Sequence, residues 1–307
     1  MRFSIYQMSR LGGRETNQDC MGYCYSREAA LFVVADGMGG HPEGDVAAQI
    51  ALQTMAARFQ REMKPTVADP GEFLRLSVLM AHQQILRYAQ NKGMHDSPRT
   101  TIVLCLIQHG VAYWAHVGDS RLYLVRKNGL LARTRDHSHF EALKAHAMPD
   151  AALAHVNRNV LYSCLGSPSP PEVQIHAGVT LEVGDTVLLC SDGLWSVLDE
   201  SRIVSTLATR SVVDAVPELI DLALKTAGDR SDNVTGLAFE WEGIEEETDS
   251  GVFSTMDLAE DAFASTIAPS TVSPEGGDDE LDDAAIERSI AEIREAIERT
   301  TNKRGGS

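Results

Sequence analysis

Basic side chains are scarce: 27 Lys and Arg stand against 44 Asp and Glu, a formal net charge of -17. Without a basic stripe the chain lacks the electrostatics that hold nucleic acid or an anionic membrane surface, so neither is expected as a partner. Cysteine is scarce too. Cys20, Cys24, Cys105, Cys164 and Cys190 form no CxxC pair, no Cys/His zinc spacing and no even-numbered framework, and they read as free thiols of a reducing compartment. No apolar run approaches the roughly 18 residues of a membrane span. Met1 to Arg10 lacks the charged-then-apolar pattern of a secretion signal, and a cytoplasmic location is the expectation. No internal repeat is visible.

What is present is a chain of 307 residues, 43% hydrophobic, able to bury the core of one large domain or of one domain with an appendage. The acidity is uneven. Eighteen acidic and five basic residues lie beyond Trp241, a local charge of -13, which leaves 26 against 22 before it. Residues 242–277 are rich in Glu, Asp, Ser, Thr, Pro and Gly and read as a disordered linker, because they hold too few large apolar residues to offset chain ordering. Within the last segment, 278–307, Asp279 to Arg299 reads as an amphipathic helix with Ile286, Ile290, Ile293 and Ile297 on one stripe, either docked on its own domain or free for a partner.

Before Trp241, short strand-like runs alternate with longer helical patterns. Met21 to Tyr25 and Ala30 to Ala35 read as a hairpin, followed by helices over Gly44 to Arg61 and Gly71 to Gln90. Thr101 to Ile107, Val111 to Val117 and Arg121 to Val125 read as a three-strand meander, turned by His109-Gly110 and Gly118-Asp119-Ser120. Thr186 to Cys190 reads as another hairpin-like run, then come helices over Glu200 to Leu207 and Val212 to Ala227, and a closing strand over Val234 to Trp241. Antiparallel strands with paired helices point to a layered α+β fold, since each sheet face needs an apolar cover.

Carboxylates recur at the strand ends. Asp36 follows Val33-Val34-Ala35 and opens the turn Gly37-Met38-Gly39-Gly40-His41, whose glycines let backbone carbonyls approach an ion. Asp119 and Asp192 follow strands; Asp19 and Asp232 precede them. In antiparallel sheets the end of one strand lies beside the start of the next, so the five can meet on one rim, with Asp19 opposite Asp36. Carboxylates that close repel one another unless something positive lies between them. All-oxygen ligation favours Mg²⁺ or Mn²⁺ over zinc. A shared carboxylate can hold two such ions about 3.5–4 Å apart, which acidify a water for in-line attack at phosphorus. The expected substrate is a phosphate ester, and Arg14, in the same Gly12-to-Asp19 segment, offers bidentate donors to its phosphate.

These residues resemble the PPM family, the PP2C-type metal-dependent protein phosphatases, in its bacterial branch. The resemblance covers roughly residues 3–241 through ordered blocks: Gly13-Arg14 to Asn17-Gln18-Asp19, Ala35 to His41, Thr100-Thr101, His116 to Arg121, Asp136-His137-Ser138, Asn159-Val160-Leu161 with Leu165-Gly166, Ser191 to Leu194, and Asp232 to Thr235. It implies a central β-sandwich of two antiparallel sheets flanked by helices on both sides, and hydrolysis of phosphoserine and phosphothreonine in proteins. It further implies that Asp36 bridges two Mn²⁺ or Mg²⁺ ions, that the Gly37 carbonyl joins one, and that Asp192 and Asp232 complete the other. Asp19 would act through water, Asp119 with Asp192 would hold a weaker third ion, and Arg14 would grip the phosphate. His41 matches a histidine beside the bacterial sites, for proton transfer, substrate contact or structure. About 136–165 would form a flap, whose His137, His139, His146 and His155 read as polar surface rather than ligands. Phosphorylated proteins and a serine/threonine kinase acting on the same substrates are the partners implied, and a monomer is expected.

The chain departs from the family at Arg99, where glycine often precedes the paired threonines, and at Val156, where proline often follows the histidine corresponding to His155. Two rival readings remain: a noncatalytic scaffold or sensor of the same fold acting through its flap or tail, which predicts damaged ligands, and a small-molecule phosphohydrolase.

Overall fold

The computed structural model describes residues 1–146, 156–244 and 263–267. Strands β1 (Arg2–Arg10), β2 (Asp19–Tyr25) and β3 (Ala29–Asp36) lead into helices α1 (Gly44–Glu62) and α2 (Pro70–Asn91). Then come β4 (Ile102–Gln108), β5 (Val111–Val117), β6 (Arg121–Arg126), β7 (Gly129–Arg133), α3 (His139–Ala145), β8 (Gln174–Thr180) and β9 (Thr186–Cys190). A single helical turn, α4 (Asp192–Trp195), precedes α5 (Glu200–Thr209), α6 (Val212–Ala227), β10 (Val234–Gly243) and the two-residue β11 (Ala264–Ser265). One antiparallel sheet has the order β1-β10-β9-β6-β7 and the other β11-β2-β3-β4-β5-β8.

Alternation of side chains along the strands explains the layering. On β3, Ala30, Phe32 and Val34 face the other sheet and pack with Phe3, Leu122, Leu189, Leu237 and Phe239. Leu31, Val33 and Ala35 point outward, onto Met55 and Phe59 of α1 and Leu74 and Ile85 of α2. Both faces of β3 are therefore buried, which is why its sequence is a continuous apolar run. The second sheet is covered on its outer face by α5 and α6, through Leu207, Val216, Leu219 and Ile220 against Tyr123, Leu188 and Ala238. The result is the expected helix–sheet–sheet–helix sandwich, with Phe32 and Phe239 stacked at 4.3 Å across its middle.

Two helix starts, those of α2 and α3, carry side-chain caps. At α2 the Asp69 side chain accepts from the Glu72 amide at 2.9 Å and Pro70 occupies the first turn, where its missing N–H costs nothing. Among the described residues no helix is long and apolar enough to cross a membrane.

Three expectations are corrected. The meander is broken: β4 and β5 pair, but β6 crosses to the other sheet and pairs with β7 and β9. Gly118-Asp119-Ser120 is that crossing rather than a hairpin turn. Gly118 has φ +99, and a Cβ there would stand 2.7 Å from Thr101 Cγ2, so no other residue fits the passage between sheets. Thr186–Cys190 is not half of a hairpin with its predecessor, because β8 lies in the opposite sheet and β9 joins β10 and β6. The stretch read as a disordered linker also contains β11, which pairs with Tyr25 and Cys24 of β2. The expected helix over Asp279 to Arg299 and residues 147–155 of the flap lie outside the described residues.

The stacked Phe32–Phe239 pair generates a stability prediction. Both rings are wholly buried between the sheets, so Phe32→Ala should destabilise the protein by about 3–5 kcal/mol through lost burial and a cavity. Urea denaturation followed by tryptophan fluorescence checks this; a loss below about 1 kcal/mol would mean the sheets close over the gap.

Candidate active site

The register of the two sheets brings one set of strand ends together. Asp19, the first residue of β2, is paired with Asp36, the last of β3. In the facing sheet, Cys190 at the end of β9 is paired with Arg121 at the start of β6 and with Gly236 near the start of β10. Asp119 therefore precedes β6, Asp192 follows β9 and Asp232 precedes β10 at the same end of the sandwich.

The carboxylates reach one another. Asp36 is paired with Asp19 at the strand ends and lies within electrostatic reach of Asp19, Asp192, Asp119 and Asp232. Burial, then the charges of Asp19, Asp192, Asp119 and Asp232, drives the Asp36 carboxyl well above its ordinary range. Asp192 is raised in the same way, by burial first and then by Asp119, Asp232 and Asp19. Burial pushes Asp19 up to about 6 against hydrogen bonds from Thr235 and Ser191, and pushes Asp119 up to about 7, with Asp136 adding to the rise and Arg121 opposing it.

Arg14 supplies the cation at the rim. Its Nη2 donates to Asp232 Oδ2 at 2.7 Å, and that bond, with the further charges of Asp192 and Asp36, raises the guanidinium pKa. The local chain explains how it gets there. A Cβ on Gly12 would stand 2.1 Å from the Asp232 carbonyl oxygen, and one on Gly13 2.2 Å from that of Asp229, so only glycines let this segment lie against the other strand's approach. Asn233 ties the same segment down, its Nδ2 donating to the Leu11 and Thr16 carbonyls at 2.8 and 3.0 Å and its Oδ1 accepting from the Gln18 amide at 2.9 Å.

Asp36 is fixed through its backbone. Its carbonyl accepts from the Thr100 hydroxyl and the Thr101 amide, both at 2.9 Å, while its amide donates to Thr101 Oγ1 at 3.2 Å. Thr101 Oγ1 in turn meets Ser120 Oγ at 2.7 Å, linking the turn after Asp36 to the crossing that carries Asp119. Gly37 has no room for a side chain, since a Cβ would lie 2.4 Å from the Gly44 carbonyl oxygen. Ser191 donates to Asp19 Oδ2 at 2.7 Å and accepts from the Thr235 amide at 3.0 Å.

Residue chemistry tests whether a metal belongs here. The donors are all oxygens, Asp19 Oδ1 is buried with no hydrogen-bond partner, and the Arg14 guanidinium is paired with Asp232 at the rim. Such a set suits hard divalent cations and not zinc. Among the described residues no three His, Cys, Asp or Glu side chains form a ready-made coordination shell; Asp232 is turned to Arg14 instead.

His41 stands apart from the carboxylates in its contacts. Its Nε2 is 3.9 Å from Asp96 Oδ2, and burial with the nearby Arg99 charge lowers its pKa. The flap histidines are not uniformly surface groups, contrary to expectation. His137 is buried, 4.6 Å from the His116 ring and 5.4 Å from that of Tyr162, and its Nδ1 accepts from the Gly118 amide at 3.3 Å. His155 lies outside the described residues.

Sequence reading assigned no role to Thr100, Thr101, Ser191 and Asn233, although all fall within its motif blocks; their position beside each aspartate was the available signal. Trp195 gave none. Its Nε1 donates to the Asp119 carbonyl at 2.9 Å, and the Arg121 guanidinium lies 3.5 Å over its ring while gripping Asp136 with two bonds of 2.8 and 2.7 Å.

Comparison with known proteins agrees with the two-sheet fold. Residues 7–220 match the family described as Protein phosphatase 2C. The chain is 32% identical over 232 residues to "Serine/threonine phosphatase stp" of Listeria welshimeri, covering 74% of this chain and 91% of that protein. Among solved structures it is similar to serine/threonine phosphatase Stp1 from Staphylococcus aureus, with TM-score 0.71 and 27% identity over 79% of this chain and 96% of that one. It is also similar to the catalytic domain of the serine threonine protein phosphatase PstP in complex with 2 manganese ions, with TM-score 0.65, 28% identity, and coverage of 78% and 98%. A family match over more than half of the sequence and a shared two-sheet sandwich lead to one assignment: the chain belongs to the protein phosphatase 2C family.

Proposed function

We propose that this protein hydrolyses phosphoserine and phosphothreonine in other proteins, at the rim where Asp36, Asp192, Asp232, Asp19 and Asp119 meet. The observation that carries the reading is the convergence of five strand ends of two sheets on one carboxylate cluster beside Arg14. The relatives' names support the substrate class, and the manganese-bound relative supports the metal.

Asp36, the Gly37 carbonyl, Asp192 and Asp232 would hold two Mn²⁺ or Mg²⁺ ions, with Asp19 acting through water and Asp119 with Asp192 holding a weaker third. Bound there, the cations neutralise the clustered carboxylates, lower the pKa of the attacking water and stabilise the phosphoryl oxygens. The protein's own part is placement. Thr100 and Thr101 hold the Asp36 backbone while its carboxylate faces the rim, and Ser191 orients Asp19. Arg14 is more than half exposed, and once Asp232 is engaged elsewhere its donors are released to grip the substrate phosphate in two places. His41, 3.9 Å from Asp96, stands at the edge of the site; its assignment here is substrate contact or support of the Gly37–Gly40 turn. Intact ligand positions count against a noncatalytic scaffold.

A phosphothreonine peptide should be hydrolysed in Mn²⁺ and not after chelation, and in preference to a phosphotyrosine peptide or a small phosphate ester. Release from the small ester alone would move the protein to the rival class of metabolite phosphohydrolases. Asp36→Asn and Asp192→Asn should each lower kcat by at least about 100-fold, on the scale of disrupted metal sites, with circular dichroism unchanged. Full activity at saturating Mn²⁺ would remove those residues from the ligand set. Arg14→Ala should raise KM roughly tenfold, since a hydrogen bond to a charged group is worth about 1.5–3 kcal/mol, and should lower kcat less. An unaltered KM would return Arg14 to the role of a surface partner of Asp232.

A further inference from the structure

Beyond Ile244 the described residues of the acidic C-terminal stretch are five and carry no charge: Phe263-Ala264-Ser265-Thr266-Ile267. Eighteen residues separate it from Ile244, yet it returns to the sandwich and lies along the outer edge of β2. Ala264 is paired with Tyr25 and Ser265 with Cys24. Beyond the pair, the Thr266 amide donates to the Tyr23 carbonyl at 3.0 Å and the Tyr23 amide donates to Thr266 Oγ1 at 3.0 Å, so a side chain continues the ladder.

Two apolar anchors accompany those bonds. The Phe263 ring lies 6.0 Å from Phe59 of α1, and both Phe263 and Ile267 pack on the core between this sheet and its helices. Ile267 fills a notch that exists only because residue 22 is glycine: a Cβ there would stand 2.5 Å from Ile267 Cγ1, and the three nearest atoms all belong to Thr266 and Ile267. Ser265 Oγ accepts from the Ile267 amide at 3.0 Å and turns that residue inward. An interior strand glycine ordinarily weakens a sheet, and close approach of another segment is a physical reason for one.

We propose that the outer edge of β2 is a strand-acceptor surface for an extended segment with an aromatic residue and, four positions on, an isoleucine, and that Phe263–Ile267 is its occupant within the same chain. Backbone bonds supply affinity and the two notches supply selectivity, as in strand-addition recognition generally. Occupancy also closes an edge that would otherwise offer unpaired amides to other chains. Nothing in this inference depends on the phosphatase reading.

The test uses the full chain in two forms, the wild type and the Phe263→Asp/Ile267→Asp double variant. Hydrogen exchange at the Tyr23 amide should be about tenfold faster or more in the variant, as expected for a locally opened strand, with the thermal midpoint of the sandwich nearly unchanged. A fluorescent peptide of residues 261–269 should then bind the emptied edge of the variant by anisotropy and not the wild type, and adding Gly22→Val to the variant should abolish that binding. Unchanged exchange at Tyr23, or a peptide that fails to bind the double variant, or one that binds equally well with valine at position 22, would overturn the proposal.

Discussion

Mutual repulsion among carboxylates is the constraint on which the active end of this molecule is built. Four of the five aspartates are buried enough to be pushed well out of their usual range, and an unpaired buried charge is among the most expensive features a fold can carry. Three members of the cluster are held from behind: Asp36 by Thr100 and Thr101, Asp19 by Ser191, and the Asp119 carbonyl by Trp195. Electrostatic cost at the rim is thereby set against apolar burial in three layers beneath it. A site that is unfavourable in the bare protein is one whose free energy falls when cations arrive.

The same arrangement separates rigid from adjustable parts. Hydroxyl and amide bonds from Thr100, Thr101, Ser120 and Ser191 lie inside the protein, where a low dielectric strengthens them. Arg14 is at the opposite extreme, exposed and tied by a single ion pair. On the proposed roles, burial follows function: the bracing of the aspartates proposed as metal ligands lies inside the protein, and the arginine proposed to grip phosphate is the exposed one. Arg121, stacked on Trp195 and clamped to Asp136, forms a second rigid bracket behind Asp119.

Much of this was legible in the sequence, and the parts that were not share a cause. The apolar run Ala30 to Ala35 announced a strand buried on both faces, and its pairing with Met21 to Tyr25 followed from the short turn between them; the Asp19–Asp36 pairing is a consequence of that register. The helix starts at Gly44 and Pro70 were legible from periodicity within a residue or so. Strands β1, β7 and β8 were missed because their side chains are mostly half-buried or exposed, so neither an apolar run nor a clean alternation marks them. The passage of β6 to the other sheet was invisible because Gly118-Asp119-Ser120 has the composition of an ordinary hairpin turn. Only the contact between Gly118 and Thr101 distinguishes the two. For the site, charge and position sufficed to select the aspartates. The residues that brace them are common polar types whose role depends on distance rather than identity.

The placement of β1 bears on how the molecule comes into being. Among the described residues this first strand pairs with β10 alone, the last strand of its sheet in chain order, and Arg2 is paired with Gly243. During synthesis the N-terminal segment that carries Arg14 waits, without a sheet partner, until more than two hundred further residues have left the ribosome. Only when β10 docks does Asn233 capture the Leu11 and Thr16 carbonyls and deliver the guanidinium to Asp232. A chain broken off before residue 232 lacks both the carboxylate that pairs with Arg14 and the amide that holds the Leu11 and Thr16 carbonyls.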